Sequence, residues 1–391
     1  MSRQGACPAR QSDDWWGKLY DDPAPDTGPA PAPDSLDDRF ASARDAVAHG
    51  PRHREPATAV PVRPAGPSAA REDADRSDYV GSGPPTYDPE PTALPLADPD
   101  ALGQLVPDTV LDGARYGPCT LRAASLRGDS ARYRGEPRRD ALLTARFGTG
   151  ERALVLVATA AGARAVPGAH LAAAEACRGI ARAVGRSHQR LAEDVRAARR
   201  GDLRSGLHRL AGHALGRLRT GAAGRGTEPP ASPVSLRCLL LSADPDCRVR
   251  VFFGVGDGGL FRLRDGAWQD IEPHPTAHDL TDGSTGGTGD QPGADRASLD
   301  LGVPHPSGAA PGAPSREPFR FRASVARPGD VLLLCTAGLA DPLRGEDALR
   351  ARLARRWSGG TPPGLAAFLA DTGTRVKGYA DDRTAAAVWE A

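Results

Sequence analysis

Lysine is almost missing from this chain: Lys18 and Lys377 are the only two among its 50 basic residues, the rest being arginine. Acidic residues number 49, so the formal net charge is +1 over 391 residues. Balanced charge argues against a general nucleic-acid binder. The arginine bias, with abundant Ala, Gly and Pro, reads as the composition of a GC-rich bacterial genome rather than as a binding code. No run of 18 apolar residues exists, so no membrane span is expected. The opening "MSRQGACPARQSDDWW" contains no apolar signal region. The six cysteines (Cys7, Cys119, Cys177, Cys238, Cys247 and Cys335) form no CxxC pair. Several stand inside apolar runs, which predicts reduced core residues in a cytoplasmic protein.

Large apolar side chains are scarce in the first hundred residues, where 17 of the 37 prolines lie. Such a segment cannot bury enough surface to offset its ordering entropy, so residues 1–100 are expected to form a disordered arm. Within it, "DDWWGKLYDD" (13–22) concentrates Trp15, Trp16, Leu19 and Tyr20 between acids. It reads either as a docking motif that orders on a partner or as a cluster that packs on the chain's own domain. A second Gly/Pro/Asp-rich stretch, 273–317, reads as a flexible insertion. What remains of 101–391 is one domain of roughly 240 residues, enough for a substantial core.

Short aliphatic runs bounded by Gly, Pro or Asp predict strands at 153–160, 235–243, 247–256, 259–266, 330–338 and 383–390. "RVRVFFGV" alternates at its start, as in a sheet with one wet face. "GLFRLRDGAWQD" predicts a hairpin turning at Asp265-Gly266. Ala173, Cys177, Ile180 and Val184 share one helix face, as do Leu203, Leu207, Leu210, Ala214 and Leu218. The other faces carry arginines and read as solvated surface. A later helix, 346–357, starts with acids and ends with arginines, as the helix dipole prefers. Clustered strands and clustered helices indicate α+β layers rather than a doubly wound sheet.

The common catalytic motifs are missing too. Gly162 and Gly168, after the strand "ALVLVATA", form no GxGxxG and no phosphate loop follows them. No GxSxG elbow occurs. His208 and His213 are five apart, off a shared helix face, which argues against a zinc pair. Cys335 has no arginine six residues on, so it reads as a buried strand residue. One pattern remains: acidic or small residues at strand ends, in "VGDGG", "CTAG" and "ADDRT". Strand ends are where a rigid sheet can hold carboxylates around a hard cation.

These segments come in a familiar order. "SARYRGEPRRDA", "VLVATAAGARAVPGAHLAAAEA", "VFFGVGDGGLFRLRDG", "RPGDVLLLCTAGLAD" and "ADDRTAAAVWE" resemble the successive motifs of the metal-dependent protein phosphatases of type 2C, the PPM family, from about 117 to 390. The resemblance implies a four-layer α-β-β-α sandwich. It also implies hydrolysis of phosphoserine and phosphothreonine, with two Mn2+ or Mg2+ ions held by strand-end aspartates and activating a bridging water.

Residue by residue, the resemblance retains Asp140 in the opening segment, with Arg134 or Arg132 as the phosphate-contacting arginine. It retains Asp257 at the Gly-Asp position, Asp341 after "AGLA", and Asp381, with Asp382 beside it, in the closing motif. The metal-bridging aspartate is replaced: Thr159 or Ala160 stands there. Ala337 replaces another ligand. With those carboxylates gone a binuclear centre should not assemble, so no cofactor is expected, and Mn2+ or Mg2+ only if the protein is active. The expectation is a pseudophosphatase, impaired or inactive, that binds a phosphoprotein or signalling partner. The alternative is an active phosphatase using a rearranged set of Asp140, Asp257, Asp341, Asp381 and Asp382.

Overall fold

The computed structural model describes residues 78–164, 166–223, 234–273 and 318–391. Most of the expected arm, its tryptophan cluster at 13–22 and the insertion from 274 to 317 lie outside the described residues. The strands are β1 (Tyr79–Val80), β2 (Thr109–Tyr116), β3 (Cys119–Leu126), β4 (Asp140–Phe147), β5 (Leu154–Ala161), β6 (Ser235–Ser242), β7 (Val249–Val255), β8 (Gly259–Arg264), β9 (Ala267–Asp270), β10 (Arg320–Val325), β11 (Val331–Cys335), β12 (Arg375–Val376) and β13 (Arg383–Glu390). The α-helices are α1 (Asp129–Arg134), α2 (Ala169–Arg186), α3 (His188–Arg196), α4 (Arg200–Ala223), α5 (Ala337–Gly345), α6 (Asp347–Trp357) and α7 (Leu365–Thr372).

Two antiparallel sheets carry the fold, one ordered β10-β7-β6-β5-β4 and the other β2-β3-β13-β11-β8-β9. The twofold alternation of side chains along each strand sorts the core into three layers. On β5, Leu154, Leu156, Ala158 and Ala160 pack with Ile180, Val195 and Leu207 of α2, α3 and α4. The alternate residues Val155 and Val157 face the other sheet and meet Leu121, Leu334 and Val388. On β11, Leu333 and Cys335 pack with Leu339, Leu353 and Phe368 of α5, α6 and α7. The result is the expected α-β-β-α sandwich. Strands covered on both faces read as continuous apolar runs, which is why "ALVLVATA" and "VLLLC" are visible in the sequence.

The hairpin from β8 to β9 turns where expected: Asp265 and Gly266 both have positive φ, 51° and 75°, the pair of conformations that a two-residue turn between twisted strands requires. The wet face expected for "RVRVFFGV" is not found. Arg250 is 2% exposed because Glu390 on the opposite sheet accepts from its Nε at 2.6 Å and its Nη2 at 2.8 Å. Alternation there marks a buried ion pair, not solvent. The strand expected to run to 338 stops at Cys335; Thr336 is the extended N-cap residue of α5, and Ala337 is already helical.

Residues 78–93, expected in the arm, pack on the domain. β1 pairs in parallel with β12. Arg375 is the hub of this contact: it reaches Asp129 at 2.8 Å and Asp78 at 3.2 Å, and it donates to the carbonyl of Tyr87. Further on, Ala93 N donates to Arg132 O at 3.2 Å and Thr92 Oγ1 to Tyr133 O at 3.0 Å. Apolar burial alone does not reveal this stretch: polar and backbone bonds do much of the holding, with Val80 packed on the core and Tyr87 against Tyr133. Arg375→Ala should therefore free residues 78–94, at a cost of about 2 kcal/mol for two or three hydrogen bonds. Limited chymotrypsin digestion should cut that variant faster after Tyr79 and Tyr87 than the wild type; equal rates would refute the hub role.

Candidate functional site

The loop "YADDR" between β12 and β13 is wedged between two glycines. A Cβ on Gly338 would lie 1.9 Å from the Asp382 carbonyl oxygen, and one on Gly128 would lie 2.3 Å from the Asp381 carbonyl carbon. Only residues without a side chain permit so close an approach. The wedge separates the two aspartates. Asp382 turns inward, 4% exposed. Its Oδ1 accepts from Gly128 N at 2.7 Å and its Oδ2 from Arg139 N at 2.6 Å. Burial raises its carboxyl above the usual range, against the two amide bonds. Asp381 instead lines a cavity of about 640 Å³.

That cavity is walled by Ser130 and Arg134 of α1, by Arg139 and Arg164, by Ala337, Gly338 and Asp341 of α5, by Tyr379 to Asp381, and by Pro85, Thr86 and Tyr87 of the packed N-terminal segment. Its charged groups are largely paired. Arg134 Nε donates to Glu136 at 2.8 Å, so the arginine expected to contact phosphate is held by a neighbouring acid. Asp129 is met by Arg375 at 2.8 Å. Asp341, half exposed, has Arg344 at 3.8 Å. Asp381 receives a hydrogen bond from Arg164 and has Arg139 Nη2 at 3.7 Å.

Of the five expected carboxylates, the structure brings Asp341 and Asp381 to one cavity, and the ligand-less Ala337 to the same wall. Asp140 is buried off that wall, where its Oδ2 accepts from Thr336 Oγ1 at 2.6 Å and Thr384 Oγ1 at 2.9 Å. Ser125 Oγ completes the group, 2.6 Å from Thr384 Oγ1. Burial, and then the charge of Asp382, push the Asp140 carboxyl up to about 7. Asp257 is exposed at the turn after β7, its amide bonded to Ser235 Oγ at 3.1 Å. Thr159 and Ala160 are fully buried in β5. Sequence reasoning missed Arg139 and Arg164. No local signal marks them, because arginine is common throughout the sequence.

The protein phosphatase 2C family model matches residues 127–372, more than half of the chain. The chain belongs to the protein phosphatase 2C family. No curated protein matches it at significant similarity. Similar solved structures include PppA, a key regulatory component of T6SS in Pseudomonas aeruginosa, at 22% identity over 72% of this chain and 100% of that one, TM-score 0.41. The S. agalactiae serine/threonine phosphatase matches at 14% identity over 70% and 100%, TM-score 0.43. The catalytic domain of the serine/threonine protein phosphatase PstP, in complex with two manganese ions, matches at 19% identity over 72% and 98%, TM-score 0.38.

The residues of this PP2C domain do not fit a pair of divalent ions. Such a pair requires several open carboxylate oxygens on the cavity wall. Ala160 and Ala337 offer no donor atom, and Thr159 is sealed in its strand. Both oxygens of Asp382 are taken by amides. Asp381 is engaged by two guanidinium groups. Among the described residues no group of three or more His, Cys, Asp or Glu is placed to hold a metal ion. Among them, too, no helix is long and apolar enough to cross a membrane.

Proposed function

We propose that this PP2C domain is a pseudophosphatase: it binds a phosphoprotein or regulatory partner and does not hydrolyse it. One observation carries the reading. Asp381, the aspartate of the closing motif that lies on the cavity wall, is neutralised by Arg139 and Arg164 rather than left open to a metal. Without a metal-activated water the site lacks its nucleophile, because no side chain on the wall can ionise a water near neutral pH as a bound divalent ion does. The cavity is open and lined by charged side chains, which supports binding of a charged group.

The test is hydrolysis of a phosphoserine or phosphothreonine peptide by the purified chain with Mn2+ and with Mg2+. The expected result is no turnover above the protein-free rate. The rival reading is an active enzyme with a rearranged metal set. It draws on Asp341, whose carboxyl is raised by burial and by the charges of Asp257 and Asp381 nearby. Mn2+-dependent turnover that disappears in Asp381→Ala would establish that rival and overturn the pseudophosphatase.

A further inference from the structure

A divalent ion in a carboxylate site does two separable things: it offsets negative charge and it activates water. A guanidinium can do only the first. It stays protonated at any physiological pH and presents planar N–H donors that match a phosphate edge. Arg139 and Arg164 are placed to do it. Arg164 is anchored at its tip by Asp381, yet its side chain is 74% exposed. Arg139 comes from the other side, 12% exposed, and stands 3.7 Å from both Asp381 and Asp382. That is charge contact beyond hydrogen-bond reach, and its buried Nε–H has no hydrogen-bond partner among the described residues. The neighbouring wall acids, Asp129 and Glu136, have arginines of their own. At this corner, Asp381 faces both guanidinium groups, with the buried Asp382 beside Arg139 and Asp341 within charge range of Arg164.

We propose that Arg139 and Arg164 are the resident cations of this site, so that the cavity holds a phosphomonoester without any metal. The inference rests on the pseudophosphatase reading and gives it a chemistry: the charge-offsetting part of the lost ions is supplied from within the chain, and the water-activating part is not. Arg164 is the movable member. Its anchor among the described residues, Asp381, is a surface-accessible carboxylate, and an arriving phosphoryl dianion offers more acceptor oxygens than Asp381 does.

The experiment is calorimetric titration of the full chain with inorganic phosphate and with O-phosphoserine, in EDTA and again with Mn2+, with serine as the control. The expected result is binding of both anions in EDTA, unchanged within about twofold by Mn2+. Arg164→Ala should weaken it about tenfold or more, as loss of a charged hydrogen bond does. Arg139→Lys, which keeps the charge and the fold, should weaken it less than Arg164→Ala. Binding that requires Mn2+, binding unaltered in Arg164→Ala, or no binding at all overturns the proposal. Those outcomes are distinct from failure of the pseudophosphatase reading, which is decided by turnover of the phosphopeptide.

Discussion

Glu390→Ala lowers the stability of the folded domain by about 3–5 kcal/mol, the usual result of removing one partner from a buried ion pair. Glu390 lies on β13 and Arg250 on β7, so the pair ties one sheet to the other. Both side chains are buried, 0% and 2% exposed. Removing the carboxylate leaves the guanidinium with the carbonyls of Cys247 at 2.8 Å and Val249 at 3.1 Å. Those bonds satisfy one nitrogen and offset none of the charge. Urea unfolding of the wild type and variant measures the loss. A double variant, Arg250→Met with Glu390→Leu, separates pairing from packing. It should recover most of the loss, since an apolar pair of similar volume avoids the desolvation of two ions. It should fall short by about 1–3 kcal/mol for the carbonyls left without their donor. A Glu390→Ala midpoint equal to wild type would show that the pair contributes nothing.

The same pair marks where the sequence is legible and where it is not. Strands sandwiched between a helix layer and the other sheet announce themselves, because both faces must be apolar: β5, β6 and β11 read directly. β2 ("TVLDGARY") and β3 ("CTLRAASL") do not. Their Asp, Gly, Arg and Ala are weak strand formers, and their place comes from a pairing that joins Thr109–Tyr116 to Cys119–Leu126 and then to β13. Such non-local partners leave no local mark. α5 was hidden for a related reason. "CTAGLAD" continues an apolar strand without a break, and only the hydrogen bonds of Thr336 to Asp140 and to Thr384 N show where the strand gives way to the helix.

At the site, the order of motifs gave the family, because that is a property of residue type and sequence. It could not give which acids share a wall. Asp381 and Asp382 are adjacent in sequence, yet one lines the cavity and the other binds Gly128 and Arg139 amides. That division follows from the close approach of Gly128 and Gly338, one from the loop before α1 and the other from α5. Arg139 and Arg164 were unreadable for the same reason: among so many arginines nothing in the sequence distinguishes the two that meet Asp381.

Asp140 gives a test of metal occupancy independent of binding and turnover. Its carboxyl is raised from 3.8 to about 7, first by burial, then by the charge of Asp382, against the hydrogen bonds from Thr336 and Thr384. A resident divalent ion in contact with such a carboxylate would hold it ionised and push it the other way. Because the folded value lies above the unfolded one, the fold favours the protonated form. The stability this group contributes is complete below about pH 4 and is lost as pH rises to about 7. At roughly 1.4 kcal/mol per unit the full swing is about 4 kcal/mol, an upper figure for a group whose neighbours relax. Asp140→Asn keeps an oxygen to accept from both threonines and has no charge to bury. The variant should therefore match the wild type near pH 4 and exceed it by about 2–4 kcal/mol near pH 8. Urea unfolding of the two proteins at both pH values, in EDTA, gives the difference; groups remote from Asp140 cancel, and the relief of Asp382 from its neighbour's charge is part of the gain. If the variant were instead less stable than the wild type near pH 8, Asp140 would be ionised and paired, with the nearby Arg138 or with a metal ion. Stabilisation of the wild type alone by added Mn2+ would identify the metal.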